Sequence, residues 1–191
     1  MLIIARDNFK GAVAMTEHRS HPLIRAAHLD DCSSIVTVHL QCWQQTYQGL
    51  LSAQYLNGLE QTRARRIAWF AQTIEAGQPR VLVVEQDGQI VGFCNFGGAR
   101  EEGAITTDAE LMAIYLLATH QRQGLGRALW QQVRQALLPQ EFKRVFVWVL
   151  EANTEALGFY RSLGFTADSS SSRVFEEQGE PLALICLSLA L

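Results

Sequence analysis

The stretch Gln121–Trp130, QRQGLGRALW, carries two glycines, two arginines and no acidic residue. It follows an apolar run, ELMAIYLL at 110–117, and leads into Leu125, Leu129, Val133 and Leu137, which recur at helical spacing. A loose, positive loop therefore joins a strand-like segment to a helix-like one. Such a loop is either a plain connection or a seat for an anion. Small residues let backbone approach a ligand closely. The free amides at a helix start, with the helix dipole behind them, favour negative charge.

Two common phosphate loops fit poorly. Gly124-Leu125-Gly126 lacks the third glycine of a dinucleotide fingerprint, and no acidic residue stands about 20 positions on after a strand. It also lacks the Gly-Lys-Ser/Thr ending of a Walker A loop.

The 191 residues suit one domain with a substantial core, and 48% apolar against 18% charged residues excludes a disordered chain. A net charge of −3 gives no broad basic surface, so nucleic acid is not the expected partner. No apolar run is long enough to span a membrane. Cys32, Cys42, Cys94 and Cys186 form no C-x-x-C or zinc spacing. They read as reduced core thiols of a cytoplasmic protein, and no metal is expected. Residues 1–22 read as an N-terminal extension and 23–191 as the single domain; the N-terminus has no basic region that would make it a signal peptide.

Along the domain, LIRAA (Leu23 to Ala27) reads as a strand. Asp30 or Asp31 can cap a following helix on which Ile35, Val38 and Cys42 share a face. In QTRARRIAWFAQTIEAG, Ile67, Phe70 and Ile74 form a helical stripe that Gly77 ends. Asp87-Gly88 divides two β-branched runs and predicts a tight hairpin. AELMAIYLL is apolar on both sides, as a central strand would be. GLGRALWQQVRQALLP is a helix stopped by Pro139, RVFVWVL a strand, TEALGFYRSLGF a helix and LALICLSLAL a last strand. The serine run Ser169 to Ser172 reads as a flexible turn. The order β-α-α-β-β-β-α-β-α-β predicts a mixed α/β sheet with helices on both faces.

With these elements in place, the chain resembles the GNAT superfamily of acetyl-CoA-dependent N-acetyltransferases from about Leu23 to Leu191. That family carries Gln/Arg-x-x-Gly-x-Gly/Ala between a central strand and a helix, and QRQGLG at 121–126 matches every fixed position. NTEALGFYRSLGF at 153–165 resembles the family's next motif, and IRAAHLDD its usual first strand and helix start. The resemblance implies an α+β, largely antiparallel sheet of about six or seven strands with a splayed parallel pair. It implies acetyl-CoA as acyl donor. The backbone amides of Arg122, Gln123, Gly124, Leu125, Gly126 and Arg127 would hold the pyrophosphate. Ile114, Tyr115 and Leu116 would pair with the pantetheine arm, whose amides would satisfy groups left open by the splay. One spare amide would polarise the thioester carbonyl.

The chemistry then needs a base and an acid. A primary amine with a pKa near 10.4 is neutral in only about one molecule in a few thousand near pH 7, a cost of roughly 4–5 kcal/mol. The resemblance implies Glu110 as base, or a water chain; the carboxylate otherwise reads as an exposed strand end. It begins the strand on the same parity as Met112, Ile114 and Leu116. Glu151 is a second candidate. Tyr160 is either a core residue or, as the resemblance implies, the acid beside the thiolate. Asn153 is a helix cap, a coenzyme A contact, or both. Trp43 and Tyr47 lie four apart on one helix face; they are core, or an aromatic wall for an ammonium acceptor. His39 and His120 are given no role.

No cysteine falls in the motif regions, which argues for direct attack in a ternary complex. The acceptor is a small-molecule or protein amine. A non-catalytic acyl-CoA sensor is the rival. A homodimer through LALICLSLAL would cover an apolar edge.

Overall fold

The structure is a computed structural model that describes residues 21–100 and 107–191. All but the last two residues of the expected N-terminal extension lie outside them. The strands are β1 Leu23–Ala26, β2 Arg80–Gln86, β3 Gln89–Gly98, β4 Asp108–Leu116, β5 Arg144–Leu150, β6 Thr166–Glu177 and β7 Glu180–Ala190. The main helices are α1 Cys32–Thr46, α2 Ala53–Gly58, α3 Arg63–Ala76, α4 Leu125–Leu137 and α5 Thr154–Ser162. One seven-stranded sheet runs β1-β2-β3-β4-β5-β7-β6. All neighbours are antiparallel except β4 and β5. This is the mixed, largely antiparallel α+β sheet expected from the sequence.

Helices cover both faces. Leu125, Leu129, Val133 and Leu137 of α4 are all buried, in one core with Val145, Val147 and Val149 of β5. On the other face, Ile35, Val36 and Leu40 of α1 and Phe70 of α3 pack on Val83 and Phe93. The hairpin turns at Asp87 (φ 53°) and Gly88 (φ 74°), both left-handed as a two-residue reversal demands. Gly77 closes α3 with φ 69°.

Four readings are corrected. The serine run is no turn: it lies inside β6, where the register against β7 shifts between Ala167 and Ser172. The last strand, β7, is no edge, because it sits between β5 and β6; the edge is β6. Asp31 does not cap α1 with its carboxylate. Arg25 takes both of its oxygens, at 2.7 and 3.0 Å, and the His28 amide donates to one of them. These partners hold the Asp31 carboxyl below its usual range, the Arg25 hydrogen bonds most strongly.

The fourth correction shapes the site. Asn95 pairs with Ala113 but Phe96 with Leu111, so Met112 is an extra residue bulged out of β4. A bulge reverses the alternation of faces. Ala109 and Leu111 point to the α4 core, yet beyond Met112 it is Ile114 and Leu116 that do. Ala113 and Tyr115 point to the α1 core. By the same alternation Glu110 shares a face with Ala113 and Tyr115, not with Ile114 and Leu116.

Candidate active site

β4 and β5 run parallel for three paired residues only, Asp108–Glu110 against Arg144–Phe146. Arg144 forms an ion pair with Asp108 at that closed end. Beyond it the strands part. β4 continues on β3 up to Leu116, and β5 continues on β7 up to Leu150. The wedge opens into a cleft of about 940 Å³ that reaches both faces of the sheet.

The α4 end of the cleft is lined by Arg122, Gly124, Gly126 and Arg127. Gly124 caps α4 at φ 84°, and Arg122 just before it has φ 58°. Among the described residues, no acceptor is met by the amides of residues 122–127; the first amide of this turn to find one is that of Ala128, which donates to the Gly124 carbonyl at 2.9 Å. Left-handed residues followed by open amides at a helix start make an anion-binding concavity. Gly124 is needed for its φ. Gly126 is needed for space, since a Cβ there would lie 3.1 Å from the Phe159 ring. Gln123 braces the loop by donating to the Thr119 carbonyl at 2.9 Å, and Leu125 is buried. Arg122 pairs with Glu155 at 2.9 Å, but both are so exposed that the pair adds little.

Tyr160 lines the middle of the cleft from α5 and is 6% exposed. Burial raises its hydroxyl above the usual tyrosine range. Asn153 caps α5: its Oδ1 accepts from the Ala156 amide at 3.0 Å, and the residue lines the cleft as well.

Glu110 lines the cleft with its side chain 8% exposed. Both of its oxygens accept from Arg100, at 2.9 and 3.1 Å. Arg100 itself is 52% exposed and also lines the cleft. Across from it stand Trp43 and Tyr47, with ring centroids 4.9 Å apart. Trp43 Nε1 donates to the Tyr115 hydroxyl at 2.8 Å. Burial pushes the Tyr47 and Tyr115 hydroxyls up. Glu151, the other carboxylate considered, is exposed and does not line the cleft.

Other residues of the cleft lining were not assigned to the site from the sequence, among them Arg100, Cys42, Arg173, Phe175 and Glu177. Cys42 was near at hand, beside Trp43. Its Sγ lies 3.3 Å from the Leu116 carbonyl, and burial pushes the thiol up to about 12. A thiol so reluctant to ionise is a poor nucleophile. Gln121, the first residue of the motif, also donates to the Leu116 carbonyl, at 3.0 Å. Both groups fix the end of β4.

A wedge between two parallel strands, with an open-amide turn at one end, defines a class of protein. The model of the acetyltransferase (GNAT) family matches residues 43–165. The uncharacterized N-acetyltransferase YuaI of Bacillus subtilis is 35% identical over 158 residues, 82% of this chain and 84% of that protein. The L-amino acid N-acyltransferase MnaT of Escherichia coli is 30% identical over 169 residues, 88% of this chain and 93% of that one. The solved structure of the PaiA N-acetyltransferase of Thermoplasma acidophilum in complex with coenzyme A superposes with a TM-score of 0.72 at 17% identity, covering 90% of this chain and 100% of that one. The chain belongs to the acetyltransferase (GNAT) family, and its activity is acetyl-CoA-dependent N-acetyl transfer.

Proposed function

We propose that the protein acetylates the primary amine of a small acceptor, an α-amino acid or a close analogue, by direct attack within a ternary complex. The observation that carries this is the wedge: it opens to Tyr160 on one face of the sheet and to Glu110, Trp43 and Tyr47 on the other. The donor would enter from the α4 face and the acceptor from the α1 face, so that they meet between β4 and β5.

The open amides of residues 122–127 suit a pyrophosphate. The splayed segment Ile114, Tyr115 and Leu116 suits the amide-bearing pantetheine arm. Glu110 would take the ammonium proton, directly or through water. Tyr160 would donate a hydrogen bond to the departing thiolate. Its raised hydroxyl makes complete transfer to a thiolate of pKa about 8.5 uphill, so its part is to stabilise that charge while solvent supplies the proton. Cys42 is too weakly acidic to carry the acetyl group, which supports direct attack.

The amino-acid reading is supported by what MnaT is named for and by Arg100 in the acceptor half, half exposed and with donors beyond those given to Glu110, which suits a carboxylate. No described helix is long and apolar enough to cross a membrane. The four cysteines are buried, which suits a reducing cytoplasm. The test is thiol release from acetyl-CoA with a panel of amino acids and their decarboxylated amines. Turnover with amino acids above their amines is expected. Turnover only with amines lacking the carboxylate would overturn the acceptor class, and none with any amine would favour a coenzyme A sensor.

A further inference from the structure

Where β4 and β5 have parted, the gap between them is bridged on the α1 face. Tyr47, the residue that closes α1, is buried and lines the cleft. Its hydroxyl has two hydrogen-bond partners, Tyr115 near the end of β4 and Asn153 just past the end of β5. One hydroxyl thus joins the two strands of the wedge at its open end. Tyr115 in turn accepts from Trp43 Nε1 at 2.8 Å.

The direction of each bond follows from what the groups can do. An indole N–H only donates, so it fills a lone pair of the Tyr115 oxygen and leaves that residue its own proton to give. Asn153 accepts from the Ala156 amide with Oδ1, at 3.0 Å, and keeps its amide nitrogen, which only donates. Tyr115 and Asn153 both work against the burial that raises the Tyr47 hydroxyl, and a partner that favours the charged form of a phenol is a donor to it. The Tyr47 oxygen therefore receives two hydrogen bonds, and its own proton has the cleft left to point into. A hydroxyl loaded in this way donates more strongly. It serves an atom that gains negative charge. The charge Tyr47 could carry is also felt at Tyr160, so the two hydroxyls face the same part of the cleft. Tyr160 is placed for the sulfur of the thioester, and the carbonyl oxygen is only two bonds from that sulfur.

We propose that Tyr47 is a catalytic residue of the transfer, its hydroxyl donating to the thioester carbonyl oxygen and holding it more tightly as it becomes an oxyanion, with Tyr115 and Trp43 as the residues that position it. The assignment rests on the wedge as the place where acetyl-CoA and the amine meet. Attack of the amine on the carbonyl carbon moves the π pair onto oxygen. Collapse returns that pair and expels the thiolate, and Tyr47 keeps its proton throughout. Infrared difference spectra of acetyl-CoA labelled with carbon-13 at the carbonyl, bound without an amine, read the bond directly. The thioester stretch should lie at lower frequency on the unmodified protein than on Tyr47→Phe, which keeps the ring packed on Trp43. In that variant kcat should fall about 100-fold, the usual loss of one oxyanion donor, with the KM for the amine and the affinity for acetyl-CoA held. Tyr115→Phe should lower kcat about 10-fold by leaving the Tyr47 hydroxyl misaimed. It should add nothing in the Tyr47→Phe background, because it acts only through that hydroxyl, whereas a packing role would add. An identical stretch on the unmodified protein and Tyr47→Phe would overturn the proposal. So would full kcat in Tyr47→Phe, or additive losses in the double variant. Failure of acetyl-CoA to bind the unmodified protein would overturn the reading of the cleft itself, and this assignment with it.

Discussion

Arg100 grips both carboxylate oxygens of Glu110, although the arginine is half exposed and the glutamate buried. The guanidinium fixes where those oxygens point within the cleft. With Glu110 as base, Glu110→Gln should lower kcat/KM about 100-fold and remove the acidic limb of the pH–rate profile, with acetyl-CoA affinity unchanged. Arg100→Gln should cost less, about 10-fold, because it leaves the carboxylate in place but unoriented. Steady-state kinetics across pH checks both. An unshifted profile in Glu110→Gln would move the base to a water chain.

Tyr160 should matter to the chemical step and not to cofactor binding. Tyr160→Phe keeps the ring between Phe159 and Phe165, so the fold should hold. We expect kcat to fall about 100-fold with an unchanged dissociation constant for acetyl-CoA. Turnover equal to the unmodified protein would return Tyr160 to the core.

His39, given no role from the sequence, makes stability depend on pH. Its ring lies 5.1 Å from that of Tyr115, and Nδ1 is sealed without a partner. Burial, helped by the charge of Arg66, lowers its pKa to about 3. The unfolded chain takes the proton near pH 6.5 and the folded one does not. Stability is therefore full above pH 6.5 and declines as pH falls below it. Between pH 7.5 and 5.5 the loss should be about 1.4 kcal/mol. Denaturant titrations should show that loss in the unmodified protein and not in His39→Gln. Equal slopes in the two would contradict it.

Much of the fold was legible because local signals and packing agreed. α4 announced itself through Leu125, Leu129, Val133 and Leu137, and the hairpin through Asp87-Gly88. β6 was not legible. Its residues 168–173, DSSSSR, have no apolar alternation, and pairing with β7 makes it a strand. The bulge at Met112 left no mark either, since an extra residue changes parity without changing composition. That hid which face Glu110 occupies. Arg100 was missed because its pairing with Glu110, ten residues on and beside it at the end of β3, has no periodic spacing to betray it. At the α4 end of the cleft, the reading rested on a loop whose residues are contiguous. At the other end, α1, the end of β3 and β6 meet only in three dimensions.

The central claim is that the open amides of residues 122–127 hold the pyrophosphate of acetyl-CoA. Calorimetric titration of the protein with acetyl-CoA, beside Gly124→Glu and Gly126→Glu, tests it most directly. Glutamate at 124 strains a backbone with φ 84°, glutamate at 126 meets Phe159, and both bring a negative charge to the anion seat. We predict micromolar binding to the unmodified protein and loss of at least about 100-fold, near 2.7 kcal/mol, in each folded variant. No binding to the unmodified protein, or equal binding by the folded variants, would contradict the account.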